Sequence, residues 1–478
     1  MHAMQFFILA GSSPSNLKKQ TTHLPGLDEQ HEQHHLHLAR GWGNRTAEER
    51  RQHRHSLRRL STGLQEDYGW LRQIDLCSDM PTIDEVRDWS FDVLQFEDAV
   101  LVNVFVLMLE YYNLLEFFWV DRKILERYCK EVMDMHNKDC YYQKIDIEID
   151  GVDVLEKSTP EVLCEYHNWY HAVLCAHVCF LFLTLGGADA FLNPIDVFCI
   201  LMGALIYDLD HQVCAQLEKW YLYLLLPTTT LLTNFHLTHI PTIQGTNNKF
   251  EVRTRTSLAK LYNNDSVLER HSINTGLNMC RENPDLDWLK SFNDNDREHV
   301  HHFISEVILA TDPARHGEIL QAAFALVDKG SQCYESTSII EVSDIDSDNS
   351  PPTPKTFFKR NDPQHRLFIG RLLLHSADIS NPVHSSFQVA SDWAIRMAIE
   401  FTKQAEKEQQ LKLPVTIYMD GLDSQYKIAK MQIGLFQFMV RPLFHTIGIL
   451  FSKLKMMESW GERNCTEYQA LIDAHDLT

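Results

Sequence analysis

Phe198-Cys-Ile-Leu-Met-Gly-Ala-Leu-Ile206 is an unbroken apolar run that passes straight into Tyr207-Asp-Leu-Asp-His211. Its length and composition suit a helix buried on all sides. A carboxylate at the end of such a helix is costly unless it is paired or bound to a cation. Asp208, Asp210 and His211 together offer hard oxygen and imidazole ligands. Taken alone, the stretch reads equally well as a helix C-terminus turning into an acidic loop.

Two other stretches place His and Asp beside apolar helices. In Leu372-Leu-Leu-His-Ser-Ala-Asp-Ile-Ser-Asn-Pro382 the helix runs into His375 and Asp378, and Asn381-Pro382 stops it. In Tyr166-His-Asn-Trp-Tyr-His171, His167 and His171 lie one helical turn apart and point the same way. With 25 histidines among 478 residues, chance supplies about 1.3 such pairs, so the pair decides nothing by itself. Three clusters far apart in the chain imply more: ligands from separate helices meeting around a divalent metal. Gln432 is a fourth feature, on or beside the stripe of Ile428, Met431, Leu435 and Met439. A buried amide there needs partners, which neighbouring backbone or a purine edge would supply.

The 44 basic and 65 acidic side chains leave a formal charge of −21, which argues against a nucleic acid polymer as partner. An apolar content of 44 % excludes a fully disordered chain. The 11 cysteines are scattered without a C-x-x-C pair and suit reduced thiols better than a disulfide framework. Cys175 and Cys179, four apart in an apolar run, read as one packed helix face and not as a metal clip. No basic region of a signal peptide precedes the first apolar patch. The most membrane-like stretch, 99–120, is interrupted by Glu110, Asn113 and Glu116, so no membrane span and a cytoplasmic location are expected.

Residues 1–82 read as a low-complexity, His- and Arg-rich extension without sustained apolar period, expected to be disordered. Over 83–470 the apolar residues recur at three and four, with helices expected at 101–118, 171–185, 195–205, 366–375 and 391–406. Residues 331–365, acidic and Ser-rich with Ser350-Pro-Pro-Thr-Pro354, read as a disordered loop. Residues 138–164 hold a strand-like 145–154 inside an otherwise helical pattern.

These motifs resemble, in order, the catalytic domain of the class I cyclic nucleotide phosphodiesterases. The resemblance rests on Tyr166 to Ala172, Asp208-Leu-Asp-His211, Leu258-Ala-Lys-Leu-Tyr-Asn-Asn-Asp-Ser-Val-Leu-Glu269 and Ala310-Thr-Asp312. It continues through His375-Ser-Ala-Asp-Ile-Ser-Asn-Pro382, Leu413-Pro-Val415 and Gln432-Ile-Gly434. It implies an all-α, compact multi-helix domain of the HD type that hydrolyses 3′,5′-cyclic nucleotides, cAMP or cGMP, to 5′-monophosphates in signal transduction. Two divalent metals are implied, zinc and magnesium (or manganese). Carried over, zinc falls to His171, Asp208 and Asp378, with Asp208 shared by the second metal. His167 becomes the general acid, and His211 and Glu269 support the ligands from behind. Gln432 and Asn381 would address the purine, with Tyr166, Leu435 and Phe436 around it.

The chain departs from that pattern in named places. Tyr207 stands where the remaining zinc ligand is normally His, and a phenol must lose a proton near pH 10 to become a strong ligand. Leu174 occupies a position where many members carry Asp, and Leu435 the position of the ring-stacking Phe. Tyr207 and Leu174 support an alternative, an impaired relative that binds nucleotide or a partner; a broader HD-type phosphohydrolase is a third reading, which Gln432 and Asn381 disfavour. The family's Asp-His-x-Gly-x-x-Asn is also split: Asp210-His211-Gln212 meets Gly245-Thr-Asn-Asn248 only when residues 213–244 are removed. That segment begins with Val and ends with Gln, codons compatible with the ends of an intron. It is expected to be a retained intron or gene-model error.

Overall fold

The computed structural model describes residues 76–136, 165–210, 246–337 and 357–476, all within one unit, Arg59–Thr478. The helices are α1 (Ile83–Val86), α2 (Asp98–Tyr111), α3 (Leu114–Phe117), α4 (Arg122–His136), α5 (Trp169–Thr184) and α6 (Pro194–Ile206). They continue as α7 (Asn248–Thr254), α8 (Ser257–Leu261), α9 (Val267–Glu282), α10 (Asp294–Leu309) and α11 (His316–Thr337). The last are α12 (Pro363–Asp378), α13 (Phe387–Gln410), α14 (Gln425–Leu435), α15 (Arg441–Leu450) and α16 (Met456–Asp476). Among the described residues the fold is all-α, with one isolated bridge between Cys77 and Phe96.

The three helices that bring His171, Asp208 and Asp378 have local reasons to start where they do. The Asn168 side chain accepts the backbone N–H groups of Tyr170 and His171 and so opens α5. Pro194 and Pro363 occupy first-turn positions of α6 and α12, where a missing N–H costs nothing. Once begun, α5 and α6 are buried around their whole circumference and pack on each other, while α6, α10 and α12 pack together and α12 also meets α5. Burial of apolar surface is the main driving force here, roughly 25 cal/mol per Å² removed from water. Gly370 permits the α10–α12 approach, since a Cβ there would sit 2.7 Å from the Phe303 ring.

Several sequence expectations change in detail. The helix expected at 101–118 breaks at Asn113, whose φ of 55° is left-handed, a conformation that Asn tolerates better than most residues. Helix α11 runs to Thr337 and α12 starts at Pro363, so both ends of the expected 331–365 loop are helical; 338–356 lie outside the described residues. Residues 76–82, assigned to the extension, join the fold: Cys77 pairs with Phe96, and Thr82 caps α1. At the other end α16 continues to Asp476. The strand-like 145–154 and residues 213–244 lie outside the described residues. By length and composition alone, the run Gln425–Leu450 is apolar enough to cross a membrane; in the fold its two helices pack against α16.

Asp196 shows what secures the helix stack. It is fully buried in the first turn of α6 and accepts hydrogen bonds from the Asn193 N–H at 2.9 Å and Arg366 Nε at 2.7 Å, with His299 Nε2 at 2.9 Å. Removing one member of such a buried pair strands the other charge. Asp196→Ala is expected to cost about 3–5 kcal/mol, read as a lower urea midpoint at unchanged slope.

Candidate active site

Three helix ends converge. The N-terminus of α5 brings His171, the residues just after α6 bring Tyr207 and Asp208, and the last turn of α12 brings Asp378. His171 is fully buried, and its Nε2 lies 3.4 Å from Asp378 Oδ1. The Tyr207 hydroxyl donates to the same Oδ1 at 2.9 Å. Cys175 completes the group, its Sγ 3.3 Å from the Tyr207 hydroxyl and 3.9 Å from His171 Nε2. Ligand atoms of His171, Cys175 and Asp378 all lie within 4.8 Å of one another, close enough to share one ion. Asp208 Oδ2 is buried without a hydrogen-bond partner among the described residues. An orphaned carboxylate oxygen beside imidazole and a second carboxylate is a donor set that suits a divalent cation.

The electrostatics agree with that reading. Burial pushes Asp208 up to about 6, against the pull of His167 and with the repulsion of Asp378 adding to it. Asp378 is half-buried, and the hydrogen bond and charge of His171 hold it below the usual carboxylate range. Burial, Asp208 and Asp378 push the Tyr207 phenol well above its ordinary value. Tyr207 is therefore a neutral hydrogen-bond donor to Asp378 in this arrangement.

Beside the cluster stands His167. Its Nδ1 is 2.7 Å from Glu400 Oε2, and the other Glu400 oxygen accepts the backbone N–H groups of Tyr166 and His167 at 2.6 and 2.9 Å. Burial alone would lower this imidazole, but Glu400, helped by Asp208 and Asp378, raises it to about 9. Asn381 is also engaged, its Nδ2 donating to the Tyr166 hydroxyl at 2.7 Å, and the Tyr166 ring lies 4.2 Å from the His171 ring.

Glu269 accepts both of its hydrogen bonds from Asn248 Nδ2, at 3.0 and 2.8 Å. Burial and the neighbouring Asp312 push it up to about 8. Asp210 faces His271 at 3.0 Å, and Ser272 donates to the Leu209 carbonyl at 2.8 Å, which ties the end of α6 to α9. His211 lies outside the described residues. His375 turns away to His316, with 2.9 Å between ring nitrogens. Leu174 is buried core in α5.

On α14, Gln432 is buried and its amide nitrogen contacts only the soft Met431 Sδ, at 3.7 Å, among the described residues. Leu435 is partly exposed, and a π turn, Phe436–Val440, follows it. Phe436 departs from the expectation. It is buried against Gly461, where a Cβ would come within 2.1 Å of its ring, so its ring packs on α16. Two residues that sequence reasoning missed are Glu400 and Cys175. Glu400 had a signal, a carboxylate in the middle of a helix whose neighbours Trp393 and Met397 are core. Cys175 had one too, sitting one turn beyond His171.

Residues 166–216 and 236–459 match the family described as 3'5'-cyclic nucleotide phosphodiesterase. The chain belongs to this phosphodiesterase family. The match breaks inside the 213–244 segment. A 3′,5′-cyclic-nucleotide phosphodiesterase of Dictyostelium discoideum, regA, is 23 % identical over 395 residues, which is 82 % of this chain and 39 % of that protein. The mouse dual specificity calcium/calmodulin-dependent phosphodiesterase 1C is 23 % identical over 379 residues, 78 % of this chain and 41 % of that protein. The chain thus spans about two-fifths of the length of those curated relatives. The phosphodiesterase domain of a Salpingoeca rosetta rhodopsin phosphodiesterase shares the fold, with a TM-score of 0.62 at 24 % identity over 82 % of this chain and 93 % of that one.

The His167–Glu400 pair yields a pH test. A folded-state pKa raised to about 9, from an ordinary value near 6.5, adds stability that is full below about pH 6.5 and is lost as pH rises through about 9. Glu400→Gln is expected to drop the His167 pKa by more than a unit, read by imidazole NMR, and to flatten that stretch of the stability curve in urea unfolding.

Proposed function

We propose that the chain hydrolyses 3′,5′-cyclic nucleotides to 5′-nucleoside monophosphates in a metal-dependent reaction. The observation that carries this reading is the meeting of His171 and Asp378, from separate helices, with Asp208 near enough to feel the charges of both and His167 raised in pKa beside them. The family membership and the printed activities of the relatives support it. His171, Asp208 and Asp378 would hold zinc, and Asp208 would share a second ion, magnesium or manganese. Such ions, when bound, lower the pKa of water and offset the charge that develops at phosphorus.

The chain's own residues supply the rest. Glu400 fixes His167 through Nδ1, which leaves Nε2 to give its proton to the departing 3′ oxygen. A pKa near 9 keeps that proton in place at neutral pH. The Asn248–Glu269 contact holds the start of α9 beneath the site. Gln432 would bond the purine edge, and because an amide can present either orientation, both cAMP and cGMP are candidate substrates. Asn381 acts through Tyr166, and Leu435 offers an apolar surface to the base.

The full chain, supplied with Mg²⁺ and Zn²⁺, is expected to release 5′-monophosphate from cAMP or cGMP. Asp378→Ala is expected to lower kcat by about a thousandfold or more, since the lost charge stabilisation is several kcal/mol. Wild-type product no greater than that of the variant, with nucleotide still bound, would instead identify an impaired binding module.

We also propose that residues 213–244 are a retained intron or gene-model error. The break in the family match, at 217–235 inside this segment, supports this. Transcript sequencing is expected to find messages lacking the segment; a population that uniformly encodes it would sink the idea.

A further inference from the structure

Tyr207 leaves the metal-binding cluster short of one strong ligand. Its hydroxyl donates to Asp378 Oδ1, so its proton is in use, and a neutral phenol is a poor donor to a cation. One turn after His171 on the same face of α5, Cys175 points its sulfur at the same place. Tetrahedral zinc, with bonds of about 2.0 Å to oxygen and nitrogen and 2.3 Å to thiolate, separates imidazole nitrogen from carboxylate oxygen by roughly 3.3 Å, and sulfur from nitrogen by roughly 3.6 Å. The corresponding separations here are 3.4 Å for His171 Nε2 to Asp378 Oδ1 and 3.9 Å for Cys175 Sγ to His171 Nε2. A cysteine that merely fills core space has no need of that geometry.

We propose that Cys175 is the replacement zinc ligand, bound as a thiolate alongside His171, Asp378 and Asp208, with Tyr207 reduced to a hydrogen-bond donor. This rests on the metal-dependent reading above and deepens it. Zinc binding breaks the S–H bond and forms a Zn–S bond, and the proton leaves to solvent; no oxidant or reductant is involved. A thiol beside a bound dication loses its proton even where burial had favoured the neutral form. The substitution also sharpens metal choice, because soft thiolate selects zinc over magnesium. Cys175 and Cys179 share the helix face without forming a clip: the partners of Cys175 are His171 and Tyr207.

The test uses the full chain loaded with one equivalent of zinc(II) and X-ray absorption at the zinc edge. One sulfur scatterer at about 2.3 Å is expected in the wild type, absent in Cys175→Ser and in the volume-conserving Cys175→Val. Chelator competition is expected to show zinc held about tenfold or more weaker in both variants. Adding Tyr207→His to Cys175→Ser is expected to restore affinity while the sulfur signal stays absent, which separates lost coordination from lost folding. Zinc bound through nitrogen and oxygen alone in the wild type would overturn the role of Cys175 and leave the metal-dependent reading standing. A sulfur signal that persists in Cys175→Ser would overturn it as well, by tracing the sulfur to another cysteine. Failure to bind zinc at all would overturn both.

Discussion

The Asp378 carboxylate is the constraint on which the arrangement of this molecule turns. It stands at the end of a helix buried among α5, α6 and α10, where a lone negative charge would be costly. His171 and Tyr207 answer that charge from two other helix ends. Neither contact exists unless α5, α6 and α12 are packed in register, so the stack and the cluster stand or fall together. Asp196 plays the matching role near the start of α6, drawing Arg366 of α12 and His299 of α10 onto one buried carboxylate. A buried acid and a half-buried one thus pin the same layer of helices at opposite ends of α6. Buried ion pairs add little net stability, but broken ones cost a great deal, and this makes the layer intolerant of partial assembly.

Replacing an imidazole by a phenol at position 207 alters the character of the centre without dissolving it. A neutral imidazole offers a lone pair at neutral pH, whereas Tyr207 offers a proton. Asp378 takes that proton as a hydrogen bond, and its ability to bind a cation is tempered accordingly. The sulfur of Cys175 lies on the side of the cluster that Tyr207 fills. The side chains gathered there thus mix hard oxygen and nitrogen atoms with one soft sulfur.

Much of the fold was legible because its determinants are local. Apolar residues at three and four, Asn168 before α5, and Pro194 and Pro363 at first-turn positions mark helices without reference to anything distant. The break at Asn113 was not legible, since nothing in the apolar pattern shows a single residue turning left-handed. At the site, His167, His171, Asp208 and Asp378 could be picked out because each flanks an apolar run. Their meeting point could only be inferred. Glu400 was hidden by its position in the middle of a long helix, where a glutamate is usually solvated; only the packing shows it aimed at the backbone of Tyr166 and His167.

The Glu400 contacts carry one consequence for regulation of the chemistry. A single side chain on α13 both sets the acidity of His167 and grips the peptide groups that aim it. The pKa of His167 and the position of its ring therefore depend on the same carboxylate. Any force that levers that helix would therefore shift the charge and the orientation of His167 together.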